Sequence, residues 1–386
     1  MPRQALTLTL AACLLFALLA PSTLAHREDE AASSDLTTSH SDSALQEIVN
    51  EAARAALERF KDKKLEESQL SITLIDLRDA QHPVQASFRG NERIYPASVV
   101  KMFYLVMAHR LMEDGKLKET DELRRALKDM IVDSSNDATS HVLDEITGTT
   151  SGPELKGAEL KKWAEKRNIV NRYFASLGYT NINVNQKTYC EGPYGREQLF
   201  RGSKGENRNK LTTEATARLL AEIATGRAVT PRRSKMMMEL MKRDYSGKST
   251  DPDDQAHGFT GIALEPGARL WSKAGWTSTT RHDAAYIELP NGARFVLVTF
   301  TTDHSNEREI IPEVARVVIS RMSKLCTFIQ ERPHHSSLLF SPTEYLCKSK
   351  TGEICRKPLT ACCIVGVVDV LPAPCNISRN RTAYST

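Results

Sequence analysis

The stretch Tyr95-Pro96-Ala97-Ser98-Val99-Val100-Lys101-Met102-Phe103-Tyr104-Leu105-Val106-Met107 sets a polar pair, Ser98 and Lys101, at the head of an apolar run that continues to Leu111 and Met112. Apolar residues around most of the circumference predict a helix over 98–112 buried on nearly every side. Residues three apart share a helix face, so the Lys101 amine can reach the Ser98 hydroxyl. A serine hydroxyl is a weak nucleophile until a base takes its proton, and a lysine can do so once burial or a second cation lowers its pKa. S-x-x-K alone is common and usually a solvent-facing pair, but here it stands where an exposed pair is least expected.

Upstream, Leu70 to Leu77 and Val84 to Phe88 are strand-like runs around the turn residues Asp79 and His82-Pro83, which predicts an antiparallel hairpin. Before them, Ser43 opens an S-x-x-Q capping box with Gln46, and Leu45, Ile48, Val49, Ala52, Ala56, Leu57 and Phe60 recur at helical spacing. Downstream, helical patterns cover Leu123 to Ile146, Leu160 to Leu177, Thr213 to Ile223 and Ser234 to Lys242. Gly178 to Lys210 is a long segment without periodicity, of the length that is usually functional or disordered. Arg269 to Ser272, Ala284 to Leu289 and Arg294 to Thr301 then predict strands, the last two joined by Pro290-Asn291-Gly292, and Glu309 to Lys324 an amphipathic helix. Strands at both ends enclosing a helical middle predict a mixed α/β (α+β) fold: one antiparallel sheet flanked by terminal helices, with an inserted all-α lobe and a site where the two lobes meet.

Two further clusters fit the same chemistry. Ser134-Ser135-Asn136 interrupts helical sequence with small polar groups; one reading is an N-cap for the next helix. The other is functional: a hydroxyl there can relay a proton to a leaving nitrogen, while the Asn136 amide can bond Lys101 and a substrate carbonyl. Lys273-Ala274-Gly275 closes the strand ending at Ser272 and is followed by Trp276. Gly275 permits close backbone approach, and the Lys273 ammonium would attract a carboxylate.

S-x-x-K, S-x-N and K-x-G, in that order and on those elements, resemble the class A β-lactamases and the related penicillin-binding DD-peptidases, over roughly Ser43 to Leu325. The resemblance implies Ser98 as the acylated nucleophile, Lys101 as its partner in activation and Ser134 as the proton shuttle. It further implies substrate binding by Asn136, Lys273, Gly275 and Trp276, and an oxyanion hole from the Ser98 and Trp276 N–H groups. No cofactor and no metal are implied; the substrate would be a small-molecule β-lactam or a D-Ala-D-Ala-like peptide.

The chain also departs from that pattern. Ser135 stands where the family usually has Asp, Ala274 where it has Thr or Ser, and the stretch between Lys101 and Ser134 is short. Deacylation in class A β-lactamases uses a loop glutamate followed four residues later by Asn. Glu191 and Glu197 are the candidates here, with Gly195 and Arg201 four residues on, so neither completes the pattern. Three readings follow: a β-lactamase, a DD-peptidase or esterase acting on cell-wall peptides, and a non-catalytic penicillin-binding sensor or scaffold.

The ends of the chain bear on location. Met1-Pro2-Arg3, the apolar run Ala5 to Ala20 and Pro21-Ser22-Thr23-Leu24-Ala25 predict a signal peptide over 1–25 and hence a secreted or periplasmic protein, with 26–43 a flexible leader. Leu10-Ala11-Ala12-Cys13 is a lipoprotein-like box, but the apolar run continues past Cys13. No other segment is apolar enough to span a membrane. The catalytic domain is expected over 44–325 and a Cys-rich extension over 326–386, holding Cys326, Cys347, Cys355, Cys362, Cys363 and Cys375 apart from Cys190. Zinc is disfavoured there, since no C-x-x-C pair occurs and His334 and His335 are adjacent. Asn376-Ile377-Ser378 is a sequon only in a glycosylating host. A net charge of +4 over 386 residues, with basic runs such as Pro231-Arg232-Arg233 read as solvated, gives no reason to expect nucleic acid; a monomer is expected.

Overall fold

The computed structural model describes the backbone of residues 29–189 and 191–330, with 347–348 and 354–355, and side chains over 43–189 and 191–325. The expected signal peptide, Cys13, Cys190 and most of 326–386 lie outside the described residues.

Six strands form one antiparallel sheet in the order β2-β1-β6-β5-β4-β3. They are β1 Leu70–Asp76, β2 Val84–Phe88, β3 Lys242–Arg243, β4 Arg269–Trp276, β5 Thr280–Glu288 and β6 Arg294–Thr302. The β1–β2 hairpin has the register Ile72↔Phe88 to Asp76↔Val84. Gly292, at φ 89°, makes the turn between β5 and β6, with the Gly292 N–H donating to Leu289 O.

Two helices cover one face of the sheet: α1 Asp29–Arg59 and α10 Ile310–Gln330. Leu45, Ile48, Val49, Ala52, Val314, Val318 and Met322 bury there against Ile72, Leu74, Phe295 and Leu297. α1 starts well before Ser43, and 29–43 continues the helix rather than forming a leader; no Gly or Pro lies between Asp29 and Arg59 to stop it. Gln46 accordingly does not close a capping box. Its amide donates to Asn50 Oδ1 and Ser87 O, tying α1 to β2.

The other face packs on the helical lobe, α2 Lys101–Glu113, α3 Asp121–Ile131, α4 Asn136–Thr147, α5 Gly157–Arg167, α6 Ile169–Ser176, α7 Gly195–Arg201, α8 Thr213–Ala224 and α9 Pro231–Met241. α2 is its axis: Met102 to Ala108 are buried without interruption, among Phe174, Leu220, Val296, Val298 and Phe300. Leu160 to Leu177 is two helices, broken at Asn168, whose side chain accepts from Asn171 and Asn185. α9 begins three residues earlier than its apolar pattern suggests, because Thr230 caps it and Pro231 suits its first turn.

The segment Gly178–Lys210 is held by asparagines. Asn183 and Lys210 exchange backbone hydrogen bonds, and the Asn183 amide donates to Asn207. Asn209 Oδ1 accepts from the Asn185 and Gln186 N–H groups at 3.0 and 2.9 Å, while Gln186 O accepts from the Tyr104 hydroxyl on α2 at 2.6 Å. Separately, in the unit Arg332–Thr386, Cys347–Lys348 and Ile354–Cys355 form a two-residue antiparallel pair.

Candidate active site

Ser98 does not sit on α2 itself. It lies in a 3₁₀ turn, Ala97–Val100, whose last turn feeds α2 at Lys101, and the Lys101 N–H donates to Ser98 O. In 3₁₀ geometry side chains three apart eclipse, so the spacing from Ser98 to Lys101 is kept by a tighter turn than the sequence suggests. Ala97 is at φ 47°, a conformation disfavoured for a residue with a Cβ, and is buried. Ser98 itself is half-buried, whereas Lys101 is entirely buried.

The break between α3 and α4 brings Ser134 to the lysine. Lys101 Nζ donates to Ser134 O at 2.5 Å and lies 3.2 Å from Ser134 Oγ and 2.9 Å from Asn136 Oδ1. Ser134 has φ 56°, and Ser135, not Ser134, caps α4 by accepting from the Ala138 N–H at 3.1 Å. The two readings of this cluster are therefore divided between adjacent serines. Ser135, where the family usually has Asp, takes up the cap.

From the other side, Lys273 Nζ donates to the same hydroxyl at 3.0 Å, and also to Gln255 Oε1 at 2.6 Å and Ala274 O at 2.8 Å. Lys273 is fully buried, and this burial, with the charges of Lys101 and Arg243, holds its amine well below the usual lysine range. Two ammonium groups on one hydroxyl repel, so the pair holds one positive charge more readily than two. Lys273-Ala274-Gly275 and Trp276 do not follow the strand but form its last half: β4 runs through them, paired as Lys273↔Ala284, Gly275↔His282 and Trp276↔Arg281. Gly275 is there because nothing larger fits, as a Cβ would stand 2.7 Å from Ser98 N and 2.9 Å from Pro96 O. Trp276 is half-buried against Phe259, ring centres 5.7 Å apart.

Three site residues carry no signal in the sequence. Gln255, in a polar run between turn residues, accepts from Lys273 and from the Ala274 N–H and donates to Val132 O at 2.8 Å, joining the Ser134 loop to β4. Arg243 Nη2 donates to Ile131 O and Ser272 O at 3.0 and 2.9 Å; burial lowers its pKa to about 10. His282, between Arg281 and Asp283 in the polar half of β5, bonds Tyr95 O at 2.9 Å.

The two loop glutamates differ in their surroundings. Glu191 is exposed. Glu197 is fully buried; its Oε1 accepts from Arg167 at 2.7 Å and Ser151 at 2.9 Å, and its Oε2 from the Tyr189 hydroxyl at 2.8 Å. Arg167 and Lys187 also pair with Asp144 on α4, so this cluster clamps the loop onto the lobe. Among the described residues no group of His, Cys, Asp and Glu is arranged to hold a metal ion, and no helix is long and apolar enough to cross a membrane.

Solved structures share this architecture. A β-lactamase from Chitinophaga pinensis aligns with a TM-score of 0.52 at 18% identity, covering 73% of this chain and 99% of its own. The TLA-1 extended-spectrum β-lactamase aligns at 0.52 and 15% identity, covering 71% and 99%. A PBP-A mutant solved as an acyl-enzyme complex with penicillin G aligns at 0.51 and 18%, covering 72% and 97%. At these identities the likeness establishes the fold, a β-lactamase/transpeptidase-like one. No curated protein matches the sequence. Residues 122–322, more than half of the chain and including Ser134, Asn136, Lys273 and Gly275, match the β-lactamase enzyme family. With the same sheet, the same helical lobe and a buried lysine pair on one serine hydroxyl where they meet, this chain belongs to the β-lactamase enzyme family, the serine hydrolases of this fold.

Proposed function

We propose that this chain is an exported serine hydrolase acylated at Ser98 by β-lactams. One observation carries the reading: Ser134 Oγ lies between the buried amines of Lys101 and Lys273, at 3.2 and 3.0 Å. A hydroxyl held between two amines is placed to pass a proton in either direction. In the proposed sequence, Ser98 Oγ attacks the lactam carbonyl carbon while Lys101 takes the Ser98 proton. The Ser98 and Trp276 N–H groups hold the oxyanion. As the C–N bond breaks, Ser134 gives its proton to the departing nitrogen and recovers one from Lys101, leaving the Ser98 ester. Asn136 positions the substrate amide, and Lys273 with Gly275 lines the strand along which it lies.

A second reading, a penicillin-binding peptidase or sensor, is favoured by Glu197. Arg167 and Ser151 donate to one of its oxygens and Tyr189 to the other, which commits the buried loop carboxylate to holding the loop and leaves it at most one spare acceptor site. We therefore expect acylation to outrun deacylation. The signal-like sequence of residues 1–25 supports a secreted or periplasmic location.

The test is to mix the protein with a fluorescent penicillin and a chromogenic cephalosporin, comparing wild type with Ser98→Ala. Labelling of wild type alone, with slow cephalosporin turnover, is the expected result. Equal labelling of both proteins, or of neither, would remove Ser98 as the nucleophile.

A further inference from the structure

His282 lies beside the site, fully buried on β5, and looks at first like a base for Ser98. Its contacts exclude that role. The Thr301 N–H donates to Nδ1 at 3.2 Å, so Nδ1 carries no proton and its lone pair is spent. Nε2 faces Tyr95 O at 2.9 Å, and a carbonyl can only accept, so Nε2 carries the proton and donates it. The neighbouring backbone thus fixes one neutral tautomer and uses up both nitrogens, and the ring is held against Phe300 with centres 4.5 Å apart. Burial pushes the imidazole pKa down to about 4, which agrees with a ring that stays neutral.

What the bond holds is the entrance to the nucleophile turn. Tyr95 precedes Pro96, Ala97 and Ser98, and the turn contains Ala97 at φ 47°. A strained backbone persists only where its surroundings over-determine it. Two adjacent residues of the sheet, paired in register, do so here: Gly275 by letting β4 approach Ser98 N, and His282 by a hydrogen bond to the carbonyl three residues upstream. From this juxtaposition we infer that His282 is a positioning residue for the reaction of Ser98, acting through the Tyr95 carbonyl to fix the direction of the nucleophile and of the Ser98 N–H. The inference rests on the assignment of Ser98 as nucleophile.

The experiment separates positioning from structure by measuring penicillin acylation at saturation, the half-saturating concentration, and cooperative unfolding for each variant. His282→Phe keeps a ring against Phe300 and removes the donor; His282→Gln keeps a donor able to reach Tyr95 O; His282→Asn has the same amide one methylene short. The limiting acylation rate should fall about 100-fold in His282→Phe with half-saturation changed less than twofold, and His282→Gln should recover at least tenfold of it. A folded His282→Phe acylating within threefold of wild type overturns the role, as does His282→Gln no faster than His282→Phe. If His282→Phe fails to unfold cooperatively, the Gln and Asn variants decide: Gln at least fivefold faster supports the inference and equal rates overturn it. Wild type that is never acylated overturns the Ser98 assignment and the positioning role together, whereas the other outcomes leave Ser98 standing. Ring-nitrogen NMR of wild type adds a readout independent of acylation, since any tautomer but Nε2–H overturns the inference.

Discussion

Gly275 passes so close under Ser98 that a methyl group on it would stand 2.7 Å from the Ser98 nitrogen and 2.8 Å from that of Val99. Both obstacles are backbone, which cannot swing aside. Gly275→Ala should therefore move the turn rather than merely crowd it, and penicillin acylation of Ser98 should fall at least 100-fold while the protein still folds. Acylation within tenfold of wild type would show that the turn has slack the structure does not suggest.

Ser134 gives a sharper separation of steps. Ser134→Ala deletes the hydroxyl between Lys101 and Lys273 and leaves the 2.5 Å bond from Lys101 to the residue 134 carbonyl in place. Acylation at saturation should drop about 100-fold, in the range that positioned proton transfer contributes, with the fold unchanged. Single-turnover labelling measures this, and an unchanged rate would exclude Ser134 as the shuttle.

Glu197 should behave as a structural carboxylate. Glu197→Gln exchanges a charge that faces the fully buried Arg167 for a neutral amide; Arg167 keeps Asp144 at 3.2 Å, so the cost is that of a weakened buried hydrogen-bond partner, about 1–3 kcal/mol. Denaturant unfolding should show a loss of that order, with the lifetime of the acyl-enzyme changed less than threefold. A long-lived acyl-enzyme in an equally stable variant would instead make Glu197 the deacylation base.

Stability should decline as pH falls from 7.5 to 5. His109 and His282 are buried and neutral, their pKa values lowered to about 4 chiefly by burial, with Arg233 adding to the effect on His109. Unfolding releases each toward the ordinary value near 6.5, so below that pH the unfolded chain takes up protons the folded one refuses. The contribution of each to stability is complete above about 6.5 and diminishes toward 4, by about 2 kcal/mol per histidine at pH 5. His109→Gln should remove its share of the slope, read from urea unfolding at the two pH values. Identical slopes in wild type and variant would refute a neutral buried His109.

How much of this was legible beforehand depended on the range of the interactions. Ser98 and Lys101 are three residues apart, and the apolar run behind them depends only on helical period, so the buried helix could be read directly. β1, β2, β6 and α8 likewise announced themselves through alternation and spacing, whereas Lys242, read as the end of a helix, opens β3 by pairing with Trp271. Local signals failed where a distant partner decides. Lys273 to Trp276 are strand because residues 281–284 pair with them, although a Lys-Ala-Gly sequence has little strand preference of its own. The Gly178–Lys210 segment is ordered by amide pairs such as Asn183 with Asn207, which no periodicity encodes.

By itself, then, the sequence determined which chemical groups were available, a serine and lysine one turn apart, a second serine with asparagine, and a second lysine before glycine, and the kind of element that carries each. Tertiary structure alone decided that Ser134 Oγ sits between both lysines and that Gln255 ties the two motifs together. It alone also locked Glu197 away with Arg167 and set His282 against Tyr95 O. The physical reason is that hydrogen bonds and burial act over a few ångströms in space between groups tens to hundreds of residues apart, and local propensity has no access to those distances.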